Sequence, residues 1–382
     1  MKKSVYLDYA AATPVDSRVL TAMQPYFSKQ FFNPSALYLA SRDVRKTLSN
    51  ARNLVAGELA VRPPEVIFTA GGTEANNLAI RGIMEQFPGK KLLISAIEHE
   101  SLREPARLYD AIEVKVDDRG FLNIEDFSKK LDDNTVLISI IYASNEVGTI
   151  QDLKRIFEII NTARIDRKKR NIKTPLYFHT DATQAVSFLN ISPKALGVDL
   201  MTLNGGKIYG PKQSGALFVR NGLGLEPIIY GGGQEKNLRS GTENVPSIVG
   251  FSVALKIARE LVKVESQKLT KLRNELRAEL EKLPSEIIFH GHPTKRLPNN
   301  LSFAVVGFDN ERLMMELDEL GFMVATGSAC SAASIEASHV LTAMGISSDI
   351  ARSTLRVTLG RETVPADIKA FVKALASCLK RN

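Results

Sequence analysis

The sequence predicts an α/β fold: a large domain built on a mainly parallel sheet, with a smaller α+β domain after it. Three observations carry this expectation. Short apolar runs alternate with helical patterns through the middle of the chain. Those runs are apolar at nearly every position, as strands covered on both faces are. After Pro284 the pattern changes to short strands mixed with amphipathic helices.

The first run, Val66-Ile67-Phe68-Thr69-Ala70, ends in Gly71-Gly72, and a helical stretch follows from Thr73. Similar runs recur at residues 91–96, 135–144, 175–182, 200–204 and 215–220, with helical patterns between several of them, as near 152–164. Strands joined by helices become parallel neighbours, and ligands then bind at the strands' carboxyl ends. Residues 245–283 are strongly helical. There Leu269, Leu272, Leu276, Leu280 and Leu283 step by three and four and form one apolar stripe. Such a helix carries the chain from one domain to the next. Beyond it lie strand patterns at 301–306 and 354–359 and helical patterns at 311–320 and 366–379. The expected division is a large domain over residues 15–255 and a small domain made of 1–14 and 256–382.

Composition narrows the class. At 382 residues, with 44% hydrophobic and 24% charged residues, the chain is an ordinary globular protein with room for two domains. Its net charge of +8 permits acidic partners and identifies none. Residues 164–173 concentrate Arg164, Arg167, Lys168, Lys169, Arg170 and Lys173. With no aromatic residue among these charges, the stretch reads as a solvated helix end rather than a nucleic-acid surface. The only cysteines, Cys330 and Cys378, make no disulfide framework. No apolar stretch reaches the length of a signal-peptide core or a membrane span. A cytoplasmic protein with no membrane association is expected.

Three strand ends carry candidate chemistry. Gly71-Gly72-Thr73 opens a helix whose unpaired amides favour an anion such as phosphate, though a tight turn with a Thr cap looks the same. In His179-Thr180-Asp181-Ala182-Thr183-Gln184, Asp181 ends a strand and suits a protonated ring nitrogen; a helix N-cap is the plainer reading. Lys207, in Asn204-Gly205-Gly206-Lys207, sits among glycines after an apolar strand. A partly desolvated lysine there can form an imine with an aldehyde, and a surface turn is the alternative. Together they supply a phosphate cradle, a carboxylate and a lysine, the three groups that pyridoxal phosphate needs.

The combined text resembles the fold-type I pyridoxal-phosphate enzymes of aminotransferase class V, and within them the NifS/IscS-type cysteine desulfurases. The resemblance spans essentially the whole chain. It begins with Tyr6-Leu7-Asp8-Tyr9-Ala10-Ala11-Ala12-Thr13-Pro14 and continues through Glu98-His99-Glu100, Ser144-Asn145-Glu146-Val147-Gly148 and Lys207-Ile208-Tyr209-Gly210-Pro211-Lys212. Arg239-Ser240-Gly241-Thr242, Gly327-Ser328-Ala329-Cys330-Ser331 and Arg356-Val357-Thr358-Leu359-Gly360-Arg361 complete it.

What the resemblance implies is specific. Lys207 would bond the cofactor, Asp181 would face its ring nitrogen and Gln184 its phenolic oxygen. His99 would stack on the ring and move protons. Gly72 and Thr73 would hold the phosphate, with Asn204 assisting. Asn145 and Arg356 would bind the substrate, Arg356 as a two-pronged clamp on its carboxylate; an ordinary ion pair is the other reading. Thr242 would reach the phosphate of a neighbouring subunit, giving a homodimer with shared active sites. Cys330 lies among small residues, as a thiol on a swinging loop would. The implied reaction turns L-cysteine into L-alanine and leaves the sulfur on Cys330 as a persulfide, with Lys207 or His99 taking the Cα proton. A sulfur acceptor protein in iron–sulfur cluster assembly or RNA thiolation would follow. Another class V enzyme (an aminotransferase or selenocysteine lyase) and a degenerate sulfur-relay homologue are the rival readings. Two stretches depart from the pattern. Gly206 and Asn204 stand where the family usually has His and Ser, and Ala36 and Tyr38 replace a hydroxyl and an imidazole.

Overall fold

The computed structural model describes residues 4–327 and 337–380. Its strands in chain order are β1 (Val5–Tyr6), β2 (Val66–Thr69), β3 (Lys91–Ser95), β4 (Asp110–Val114), β5 (Thr135–Ser139), β6 (Tyr177–Asp181) and β7 (Leu200–Asn204). They continue with β8 (Gly215–Val219), β9 (Ile287–His290), β10 (Asn300–Val305), β11 (Phe322–Met323), β12 (Ala325–Thr326) and β13 (Thr354–Thr358).

Seven strands make the main sheet, in the order β2-β8-β7-β6-β5-β3-β4. The pairings from β7 through to β4 are parallel, and only β8 runs against its two neighbours. The reason is local. Residues 205–214, between β7 and β8, are too short a connection for a crossover helix, so the chain returns antiparallel. Alternate residues along a strand enter different cores: Leu200 of β7 packs on one face and Met201 on the other. Both faces are covered, which is why the strands read as continuous apolar runs.

A second sheet, β12-β13-β10-β9, is antiparallel, and β1 pairs in parallel with β11. The helix Val245–Leu280 reaches both cores. It begins at Asn244, whose side chain accepts from Ser247 N at 3.2 Å. Its first part, with Phe251, Ala254 and Leu255, packs under the main sheet; its last part, Leu269 to Leu280, packs in a separate cluster with β10 and β13. Cys378 is buried in that second cluster. No helix among the described residues is long and apolar enough to cross a membrane.

The basic stretch is not simply a solvated helix end. Arg167, on the helix Leu153–Lys169, is buried and donates to the carbonyls of Thr174, Pro175, Asp132 and Thr135 at 2.6–3.2 Å. Arg164 bonds Asp199 and the Leu176 carbonyl, and Arg170 bonds Asp133 and Asp166. Lys168 and Lys169 do remain exposed. The arginines are spent on holding the strand ends beside the helix.

Candidate active site

The carboxyl ends of the parallel strands surround a cavity of about 260 Å³. The segments after β2, β3, β5, β6 and β7 each contribute to it, and Ala10, Ala11 and Arg356 come from the other sheets. Of the expected site residues, Gly72, Thr73, His99, Asn145, Asp181, Gln184, Asn204, Lys207 and Arg356 all line it.

One end is suited to an anion. Gly71 has φ +116°, a conformation that favours glycine, and it turns the chain from β2 into the helix Gly72–Met84. A Cβ on Gly72 would come within 3.3 Å of both Asn204 Nδ2 and Thr183 Oγ1. The Thr183 hydroxyl is buried and has no hydrogen-bond partner among the described residues. Buried donors are normally satisfied, so amides, hydroxyl and side-chain amide together make a cradle that lacks its acceptor. Asn204 also caps the turn that follows, its Oδ1 accepting from Gly206 N at 3.0 Å.

The middle of the cavity carries the titratable groups. Asp181 is nearly buried; Oδ1 accepts from Thr183 N at 2.8 Å and Oδ2 from Asn76 Nδ2 at 2.9 Å. Lys207 Nζ donates to the Ala11 carbonyl, and Gln184 Nε2 donates to the Ala10 carbonyl at 3.0 Å. The Gln184 amide keeps a second proton for another acceptor. His99 caps the helix Glu100–Ala106 through its side chain. Behind this row His179 bonds Ser139 Oγ and Thr202 Oγ1, and burial pushes its pKa down to about 4. It is a neutral packing residue.

The far end binds through Arg356, which is 2% exposed. Its Nη2 pairs with Asp8 at 2.7 Å and its Nη1 donates to the Asn145 carbonyl at 3.3 Å. Nε is buried with no partner among the described residues, so it remains a donor for a carboxylate in the cavity. Asn300 Nδ2 donates to the same Asn145 carbonyl at 3.1 Å and holds that turn in place.

Sequence reasoning missed Asp8, Asn76, Glu98 and Thr183. Asp8 and Glu98 lay inside the quoted motifs, yet their partners are far off in the chain. Glu98 has no exposed surface, and its Oε1 accepts from Ile141 N at 2.6 Å. Burial, reinforced by the Asp181 charge, raises its carboxyl well above the usual range. Thr242 is exposed and is not among the residues lining the cavity of its own chain. Cys330 lies outside the described residues.

Fold and cavity define an α/β protein with a polar cleft at the carboxyl ends of its strands, and comparison places it further. The chain belongs to the aminotransferase class-V family, which matches it over residues 5–371. It is similar to the cysteine desulfurase IscS of Dictyoglomus turgidum, 37% identical over 388 residues that cover 100% of this chain and 96% of the relative. Among solved structures it is similar to a NIFS-like protein, with TM-score 0.90, 32% identity and full coverage of both chains. It is also similar to SspA in complex with cysteine, with TM-score 0.79, 31% identity and coverage of 95% of this chain and 100% of that one.

Proposed function

We propose that the protein is a pyridoxal-phosphate-dependent cysteine desulfurase that moves the sulfur of L-cysteine onto Cys330 and releases L-alanine. The observation that carries this is the convergence of an anion cradle, Asp181, Lys207 and Arg356 on one cavity, in a chain whose relatives are named for that activity. The residues fit the cofactor, because the unsatisfied Thr183 hydroxyl and the amides after Gly71 await an acceptor of phosphate type.

When bound, pyridoxal phosphate supplies an electron-withdrawing ring that acidifies the substrate's Cα–H. Gly72, Thr73 and Asn204 would hold its phosphate, Asp181 would stand at its ring nitrogen and Gln184 at its phenolic oxygen. Lys207 would be the covalent attachment point, and its Nζ would take the Cα proton of the substrate. Asn145 orients the substrate while Arg356 binds its carboxylate. The Cys330 thiolate attacks the substrate sulfur. An S–S bond forms, the C–S bond breaks with its electron pair left on Cβ, and alanine is completed when Cβ gains the proton that the Cys330 thiol gave up and Lys207 Nζ returns the proton to Cα.

Two cysteines and a thiol nucleophile suit the reducing cytoplasm. Residues 15–255 form the cofactor domain in this reading, and 1–14 with 256–382 the domain that carries Cys330. The exposed Thr242, and apolar side chains as exposed as Phe31 at 66% and Leu37 at 96%, support a homodimer in which each chain completes the other's phosphate site. The persulfide would pass to an acceptor protein for iron–sulfur assembly or RNA thiolation.

The test is alanine released per active site from L-cysteine, with mass spectrometry of the peptide containing Cys330. Cys330→Ser should keep cofactor binding and lose both alanine release and the sulfur-mass addition. Wild-type alanine output from that variant would move the assignment to a lyase.

A further inference from the structure

Ser101 follows His99 by two residues, and its backbone N–H meets His99 Nδ1 at 3.1 Å. A backbone N–H can only donate. The ring nitrogen facing it therefore carries a lone pair and no proton. The Ser101 hydroxyl reaches the same nitrogen at 2.8 Å. That hydroxyl is 2.9 Å from Asn76 Nδ2, and Asn76 Nδ2 is also 2.9 Å from Asp181 Oδ2.

The direction of every bond in this chain is set from its ends. An ionised Asp181 only accepts, which turns the Asn76 amide so that nitrogen rather than oxygen faces it. The same nitrogen gives its second proton to Ser101 Oγ. Ser101 is then left to donate its own proton to His99. Asn76 has no exposed surface, so water does not offer it other partners.

We propose that Asn76 and Ser101 are positioning residues that fix His99 as the tautomer protonated at Nε2 and tie its ring to Asp181. A neutral His99 held this way offers a proton from Nε2 and has no lone pair there. It is poised to give a proton, and removal of the Cα proton falls to Lys207. The use made of that proton rests on the desulfurase reading; the tautomer itself does not.

The experiment is nitrogen-15 NMR of histidine-labelled protein, recorded with and without pyridoxal phosphate. With five histidines in the chain, His99→Gln assigns the signal. The expected spectrum shows His99 protonated at Nε2, with a pyridine-type Nδ1. Ser101→Ala keeps the backbone donor but removes the hydroxyl, so it should shift the pyridine-type Nδ1 signal and lower kcat roughly fivefold, as loss of one hydrogen bond would, with KM for L-cysteine unchanged. Ser101→Thr, which keeps the hydroxyl, should restore both. A proton on Nδ1 in the wild type overturns the proposal, and so does a Ser101→Ala spectrum identical to wild type. Failure of the desulfurase reading looks different: no alanine from the wild type, whatever the imidazole signals show.

Discussion

Two carboxyl groups, Glu98 and Asp181, line the same cavity in different surroundings. Asp181 receives two hydrogen bonds at its oxygens. Glu98 has no exposed surface, and one of its oxygens has no partner among the described residues. Burial first, and then the neighbouring charge of Asp181, hold it protonated well above the usual range. The sign of the linkage follows. In the unfolded chain Glu98 ionises near its ordinary value, while in the fold it keeps its proton, so the folded state loses stability as pH rises between those two points. The slope is about 1.4 kcal/mol per pH unit. Glu98→Gln has no proton to lose and can still accept from Ile141 N. Compared between pH 5 and pH 8, its melting temperature relative to wild type should therefore be higher at the upper end. A flat difference across that range would mean that Glu98 is ionised in the folded protein. The triplet Glu98-His99-Glu100 was legible as a motif, but not which of its acids turns inward. That depends on the end of β3 passing beside Ile141, some forty residues later in the chain.

Elements were readable wherever one rule decided them. Strands β5 and β8, buried at every position, announce themselves as apolar runs, and the leucine stripe of the long helix does the same. Edge strands are harder. β4, at the sheet edge, carries Asp110 and Glu113 exposed on opposite faces, so neither an apolar run nor an alternation marks it. The basic stretch misled for another reason: charge in the sequence does not reveal whether a guanidinium faces water or carbonyls. Arg167 gives its protons to four carbonyl oxygens beside the sheet. Arg167→Ala strips those buried acceptors and should lower stability by about 3 kcal/mol. Lys168→Ala and Lys169→Ala, on the exposed side of the same turn, should change it by less than about 0.5 kcal/mol. Urea denaturation of the three variants checks the contrast, and equal effects would show that Arg167 contributes only as a surface charge.

At the scale of the whole molecule, two buried histidines oppose the Glu98 trend. His179 and His290 are each held neutral, with burial pushing both down to about 4. The unfolded chain protonates them below about 6.5. Their contribution to stability is thus full above that value and falls as pH drops toward 4, by up to about 2.7 kcal/mol per pH unit when both take part. Chemical denaturation at pH 7, 6 and 5 should show that loss in the wild type relative to a variant with both residues replaced by Gln; an unchanging difference between the two would mean that the histidines are not held neutral. Assembly is tested separately. Thr242→Ala should weaken cofactor retention in the homodimer, while mixing it with Lys207→Ala chains should give hybrids with one intact site and one doubly defective site. Cofactor bound per hybrid dimer is the measurement, and no recovery on mixing would place Thr242 in its own chain's business alone. One contact described above also has a meaning in time. Asp8 and Arg356 are 348 residues apart in sequence yet form one ion pair at the end of the cavity. At ribosomal speeds of about 5–20 residues per second, Asp8 leaves the ribosome roughly 20–70 s before its partner does. Throughout that interval the main sheet can fold and the anion cradle can form, but the substrate end stays open. A nascent chain could therefore take up the cofactor well before it can act on an amino acid.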